Sequence, residues 1–184
     1  MTTYPVLTLA TAPEASRPVL ENLNQAFGLI PNIAGTMAHS PTLIGGFIGL
    51  FTAVHAGRLS EADIQILLLT NAVTNASTWP VAFHSFLALK AGVAADDIEA
   101  IRGGSLPSDA KYGALSALAR ALIETRGHPS SATLTAFYDA GFDQEQALEV
   151  IGVVAASTIT NYTATLTEPP LEDFLQPHAW QPVS

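Results

Sequence analysis

Apolar residues recur at spacings of three and four along almost the whole chain, and no long alternating run of β-branched residues interrupts them. A period near 3.6 residues gathers such positions on one face of a helix, whereas a half-buried strand alternates at every second residue. The pattern predicts an all-α protein. Residues 13–27 read as an amphipathic first helix closed by Gly28, Pro31 opens a short second helix ending near Ser40, and Pro41 begins a third that Gly57 stops. Ser60, with Asp63 three residues on, caps a helix running to about Asn75. Ser77 or Thr78, with Pro80 in the first turn, begins its hairpin partner, which ends at Gly92. A short helix over 96–102 and a longer amphipathic one over 109–126 follow, then a second hairpin over 130–140 and 143–165. Pro169, Pro170, Pro177 and Pro182 then predict an extended tail over 168–184. The whole is expected to be one domain over 1–184, with 1–27 as an N-terminal helical extension.

Composition sharpens this picture in three ways. At 184 residues, 48% apolar and only 12% charged, the chain is long enough for one sizeable core, and it lacks the low hydropathy of a disordered segment. Seven basic and sixteen acidic side chains cover a surface of this size thinly, so part of it is expected to be hidden in a homo-oligomer. Gly45 and Gly49, four apart on the third helix, offer a face that another helix can approach closely. The net charge of −9 argues against nucleic acid and anionic lipid as partners. The uncharged stretches between Glu21 and Arg58 and between Asp63 and Lys90 are broken by Pro, Asn, Gln, Ser and His, so no membrane span is expected. The first twenty residues have no basic start and carry prolines through the apolar part, which makes the cytoplasm the expected location.

The chain contains no cysteine, which removes disulfides, thiolate ligands and thiol nucleophiles together. Its five histidines show no H-x3-H, H-E-x-x-H or paired E-x-x-H spacing, and its paired glycines lack a phosphate-binding arrangement, so neither a metal nor another cofactor is expected. Two polar residues stand out instead. Gln65 lies between Ile64 and Ile66 with Leu68, Leu69 and Ala72 on its helix, and His84 lies among Val81, Ala82, Phe83, Phe86 and Leu87. A buried amide needs a polar partner, and a buried imidazole is held neutral, able to donate through one nitrogen and accept through the other. A Gln65–His84 contact satisfies both, whether as a core hydrogen bond or as part of a site. Ser77 is too far from His84 for direct proton transfer: seven residues of helix span roughly 10 Å. An N-cap role fits Ser77 better. His55, before Gly57, suits a helix C-terminus and also a position lining the same cavity.

The segment LSEADIQILLLTNAVTNASTWPVAFHSFLALKAGV resembles the core hairpin of the carboxymuconolactone decarboxylase and alkylhydroperoxidase-D (AhpD-like) family. The peroxidase branch of that family reads Glu, eleven residues, Cys, two residues, Cys, three residues, His. Here the same spacing carries Gln65, Ser77, Pro80 and His84. Flanking likenesses include Pro31-Asn32, His39-Ser40-Pro41, Lys90-Ala91-Gly92-Val93, Asn161-Tyr162 and Trp180. The resemblance implies an AhpD-like all-α fold built round this hairpin, and a cavity with Trp79, His55, Asn161 and Tyr162 as candidate lining residues. It also implies a loss. The family's thiol peroxidase mechanism needs the thiolate pair, which Ser77 and Pro80 cannot supply, and Gln65 in place of glutamate removes an ionisable base. What remains is either acid/base chemistry by His84, oriented by Gln65, on a small apolar compound, as in the cysteine-independent decarboxylase branch, or a non-catalytic binding or assembly protein with the family fold.

Overall fold

The computed structural model describes residues 4–182, and it is all-helical there. Nine α-helices follow in order: α1 Arg17–Phe27, α2 Asn32–Met37, α3 Pro41–His55, α4 Glu61–Thr74, α5 Thr78–Lys90, α6 Ala95–Arg102, α7 Ala110–Glu124, α8 Ser131–Asp139 and α9 Gln144–Thr167. The hairpin of α4 and α5 is the centre. α4 packs against α5, α7 and α9, while α5 meets α6, α9 and the C-terminal segment.

Local chemistry sets the ends of these helices. At the start of α4 the Asp63 backbone N–H donates to Ser60 Oγ at 3.2 Å and the Ser60 N–H to Asp63 Oδ2 at 3.1 Å, closing a reciprocal capping box. The buried Asp63 carboxylate also takes the Lys111 ammonium at 2.8 Å, which ties α4 to α7. Asp143 and Gln146 repeat the box at the start of α9. The α4–α5 turn is tight. Ala76 adopts a left-handed φ of 51°, a conformation usually given to glycine, and the Ser77 N–H reaches back to the Ala72 carbonyl.

The apolar interior forms two clusters on the two sides of the hairpin. One joins α4 to α6, α7, α8 and the first half of α9, with Ile66, Leu69, Ile101, Leu115 and Phe137 fully buried. The other lies under α1, α2 and α3 and takes Trp79 and Ala82 from α5 and Ala156 and Ala164 from α9.

Three expectations change. Residues 4–12 are not helical: the first helical turn is 3-10, at Glu14–Ser16, and the segment before it crosses α2, with the Leu7 N–H donating to the Gly35 carbonyl. Residues 1–3 lie outside the described residues. The tight glycine contacts include Gly35, where a Cβ would meet Val6 Cγ1 at 2.5 Å, and Gly57, where it would meet Glu149 Oε1 at 2.6 Å; Gly45 and Gly49 have nothing within 4 Å of such an atom in this chain. Thirdly, the Pro-rich tail is not extended throughout. It forms a 3-10 helix at Asp173–His178 because Leu175 buries completely and Arg102 grips the His178 and Ala179 carbonyls at 3.0 and 3.1 Å. Residues 183–184 of the tail lie outside the described residues.

Candidate functional site

The hairpin brings Gln65 and His84 together. Both side chains are almost fully buried, at 1% and 5% exposure, and His84 Nδ1 lies 2.9 Å from Gln65 Oε1. The orientation of the amide follows from its other end. Gln65 Nε2 donates to Glu61 Oε1 at 2.7 Å, one helical turn back on α4. A carboxylate only accepts, so the amide nitrogen faces Glu61 and its oxygen faces His84, and His84 Nδ1 carries the proton. The outer end of the row is His55, whose Nδ1 donates to the Phe51 carbonyl at 2.9 Å and whose Nε2 lies 3.7 Å from Glu61 Oε2. Burial drives the His84 pKa far below the ordinary histidine value, to about 3, with a smaller push in the same direction from His55. The ring is neutral throughout the physiological range.

His84 lines a cavity of about 60 Å³ enclosed by α1, α2, α3, α4, α5 and α9. The walls are almost wholly apolar, with Met37 from α2, Phe47 and Phe51 from α3, Leu68 from α4, and Trp79 and Phe83 from α5. Trp79 stacks on Phe83 with ring centres 4.9 Å apart, and its indole N–H donates to Glu172 Oε2 at 3.1 Å. Glu172 Oε1 in turn accepts from the Asn32 N–H at 2.7 Å, so one tail carboxylate fixes both the indole and the start of α2. Phe27, at the end of α1, is 46% exposed and borders this cavity and both surface grooves beside it.

Other expected site residues fall elsewhere. Ser77 is buried and donates its hydroxyl to the Asn161 carbonyl at 3.1 Å, with no side-chain cap on α5, and neither it nor Pro80 lines the cavity. Asn161 is buried behind it, its Nδ2 donating to Ser157 Oγ at 3.2 Å and its Oδ1 without a partner. Tyr162 turns the other way, 65% exposed, because adjacent residues on α9 point about 100° apart and Asn161 takes the inward direction. His55 borders an outer groove and meets the cavity histidine only through Glu61 and Gln65. The sequence reading missed Glu61, although its position four residues before Gln65 on a helix was the available signal. Among the described residues no group of three or more His, Asp or Glu side chains is placed to hold a metal, and no helix is long and apolar enough to cross a membrane.

No family model matches the chain, and no curated protein matches it. Solved structures do. A peroxidase-related protein from Ralstonia eutropha JMP134, described as an alkylhydroperoxidase AhpD core, superposes with a TM-score of 0.80 at 19% identity over 94% of this chain and 93% of that one. The chain has the AhpD-like fold. An uncharacterized peroxidase-related protein from Silicibacter sp. TM1040 gives a TM-score of 0.77 at 15% identity over 94% and 93%. The debrominase Bmp8, as a cysteine-to-alanine variant in complex with 2,3,4-tribromopyrrole, gives 0.75 at 20% identity over 97% and 96%. At these identities the likeness is one of fold, and the present chain differs in having no cysteine at all.

Proposed function

We propose that this AhpD-like protein binds a small, flat, largely apolar ring compound in the His84 cavity, without thiol chemistry of its own. The observation that carries the reading is one polar ring, anchored through a single nitrogen, in a chamber whose other walls are apolar but for Thr160, with Phe27 at its mouth. A few polar groups among apolar walls is the usual make-up of small-ligand sites. The bound tribromopyrrole of the Bmp8 structure supports the choice of a compact ring. The cavity of about 60 Å³ is smaller than the roughly 150 Å³ that holds benzene in an engineered protein core, so entry requires Met37 and Phe27 to move aside.

Acid/base catalysis at His84 is the second reading, and the Gln65 anchor favours it, since orienting the imidazole is what such a group does. The depressed pKa counts against it: a base whose conjugate acid has a pKa near 3 is far from matched to neutral pH. Catalysis there requires a bound group that brings negative charge to the ring. The same proposal includes a homo-oligomer. Leu148, Ile151, Tyr162 and Leu166 form an exposed apolar stripe on α9, and α3 beside it carries no charged residue, which supports burial against another copy.

Phenol binding tests the ligand reading. Saturation-transfer NMR is expected to show phenol bound at millimolar concentration, weakened by about tenfold in His84→Leu. Binding should vanish in Ala156→Leu, which fills the chamber from α9. Undiminished binding to Ala156→Leu would place the ligand elsewhere and overturn the reading.

A further inference from the structure

Every side-chain proton donor on the cavity wall is turned outward and already engaged. The Trp79 indole N–H goes to Glu172 at 3.1 Å, the Thr160 hydroxyl to the Ser157 carbonyl at 2.8 Å, and the His84 Nδ1–H to Gln65 at 2.9 Å. What these groups leave for an occupant is lone pairs: the remaining acceptor sites of Thr160 Oγ1, and His84 Nε2, which has no partner among the described residues.

We infer that the cavity selects ring compounds carrying an N–H or O–H donor, and that Glu61, outside the cavity, is the positioning residue that sets this polarity through Gln65. This rests on the ligand-binding reading above. Gln65 is the one reversible member of the row, because an amide flipped end for end would donate to His84 Nδ1 and place the ring proton on Nε2. The cavity would then offer a donor instead. Glu61 prevents the flip, since two lone-pair oxygens, one from the carboxylate and one from the amide, would face each other at 2.7 Å. Its side chain is 54% exposed, so it can be exchanged without opening the core.

The experiment reverses the outer charge. In the wild-type protein, ¹⁵N chemical shifts of the His84 ring are expected to show the Nδ1–H tautomer, and phenol is expected to bind better than pyridine, its acceptor-only counterpart, by about tenfold. In Glu61→Lys the outer partner can only donate, so Gln65 turns its oxygen outward, the ring shifts to the Nε2–H tautomer and the preference moves toward pyridine. Glu61→Ala removes the anchor and should give a mixture of tautomers. A merely structural role for Glu61 would change stability and leave the tautomer and the preference unmoved. An unchanged Nδ1–H ring in Glu61→Lys, or a wild-type preference for pyridine, overturns the inference. If neither ring compound binds but the tautomer switches, the ligand-binding reading fails and donor selection falls with it, while the control of His84 by Glu61 stands.

Discussion

The two faces of the α4–α5 hairpin are built from the same two helices and end in opposite states. Toward α6, α7 and α8 the hairpin is closed by fully buried branched and aromatic side chains, among them Ile66, Leu69, Leu115, Leu118 and Phe137, with Phe137 stacked on Phe142 at 4.6 Å. Toward α1, α2 and α3 the residues are long or aromatic, Met37, Phe47, Phe51 and Phe83, and they meet round a void with His84 in its wall. On the first face branched chains and a stacked ring pair interlock, whereas on the second Met37, Phe47, Phe51 and Phe83 leave a space between them, and the flexible thioether can shift to widen it. One face is filled, and the other keeps room beside a buried core of its own.

Truncation on each face gives the largest expected effect. Phe137→Ala should cost on the order of 3–5 kcal/mol in denaturant unfolding, and Met37→Ala about 2–3 kcal/mol. Phenol should stabilise Met37→Ala more than the wild-type protein, because the widened chamber binds it more tightly, and should stabilise Phe137→Ala only as much as the wild-type protein. Equal rescue of both variants would erase the contrast between the faces.

Acid pH isolates the hollow face. The folded His84 titrates near 3 and the unfolded residue near its ordinary 6.5, so between those values the unfolded chain holds the extra proton and stability falls as pH falls. The slope is about 1.4 kcal/mol per pH unit, or about 3 kcal/mol between pH 6.5 and pH 4. Unfolding followed by pH should show this slope in the wild-type protein and its disappearance in His84→Gln; a slope that survives the substitution assigns it to other groups. Asp97, on the solid face, acts in a lower window. Burial pushes its carboxyl up, but hydrogen bonds from Ser108 and the Asp109 backbone outweigh that and hold it below its ordinary value. Its contribution is present above the ordinary carboxylate range and is lost only as pH falls below it.

The smallest expected effect concerns the polar pair between the two faces. Gln65→Leu and His84→Leu each strand a buried partner and should cost about 1–3 kcal/mol, with the double variant recovering part of the sum. Strict additivity in a double-mutant cycle would show that the 2.9 Å contact carries no coupling.

The solid face was the more legible in the sequence. Its helices follow from apolar periodicity, and their ends from Ser60 with Asp63 and from Asp143. These are signals carried by residues within a turn or two of one another. The Gln65–His84 contact was legible for a related reason: two polar residues on facing apolar helices must satisfy each other when nothing else can. The extended tail was misjudged because proline disrupts the interior of an α-helix without forbidding a 3-10 turn, and the turn is held by Arg102, seventy-odd residues away in sequence.

Periodicity, caps and the absence of cysteine therefore fixed, from the sequence alone, an all-helical chain built on one hairpin and unable to run thiol chemistry with its own residues. The tertiary structure decided which face of that hairpin is hollow, that Tyr162 looks outward while Asn161 looks in, and that Glu61 meets the far end of the amide that meets His84. The division has a physical cause. Secondary structure answers to neighbours along the chain, but a cavity is a space that six helices fail to fill together, and the direction of a hydrogen bond is set by whichever partner cannot reverse.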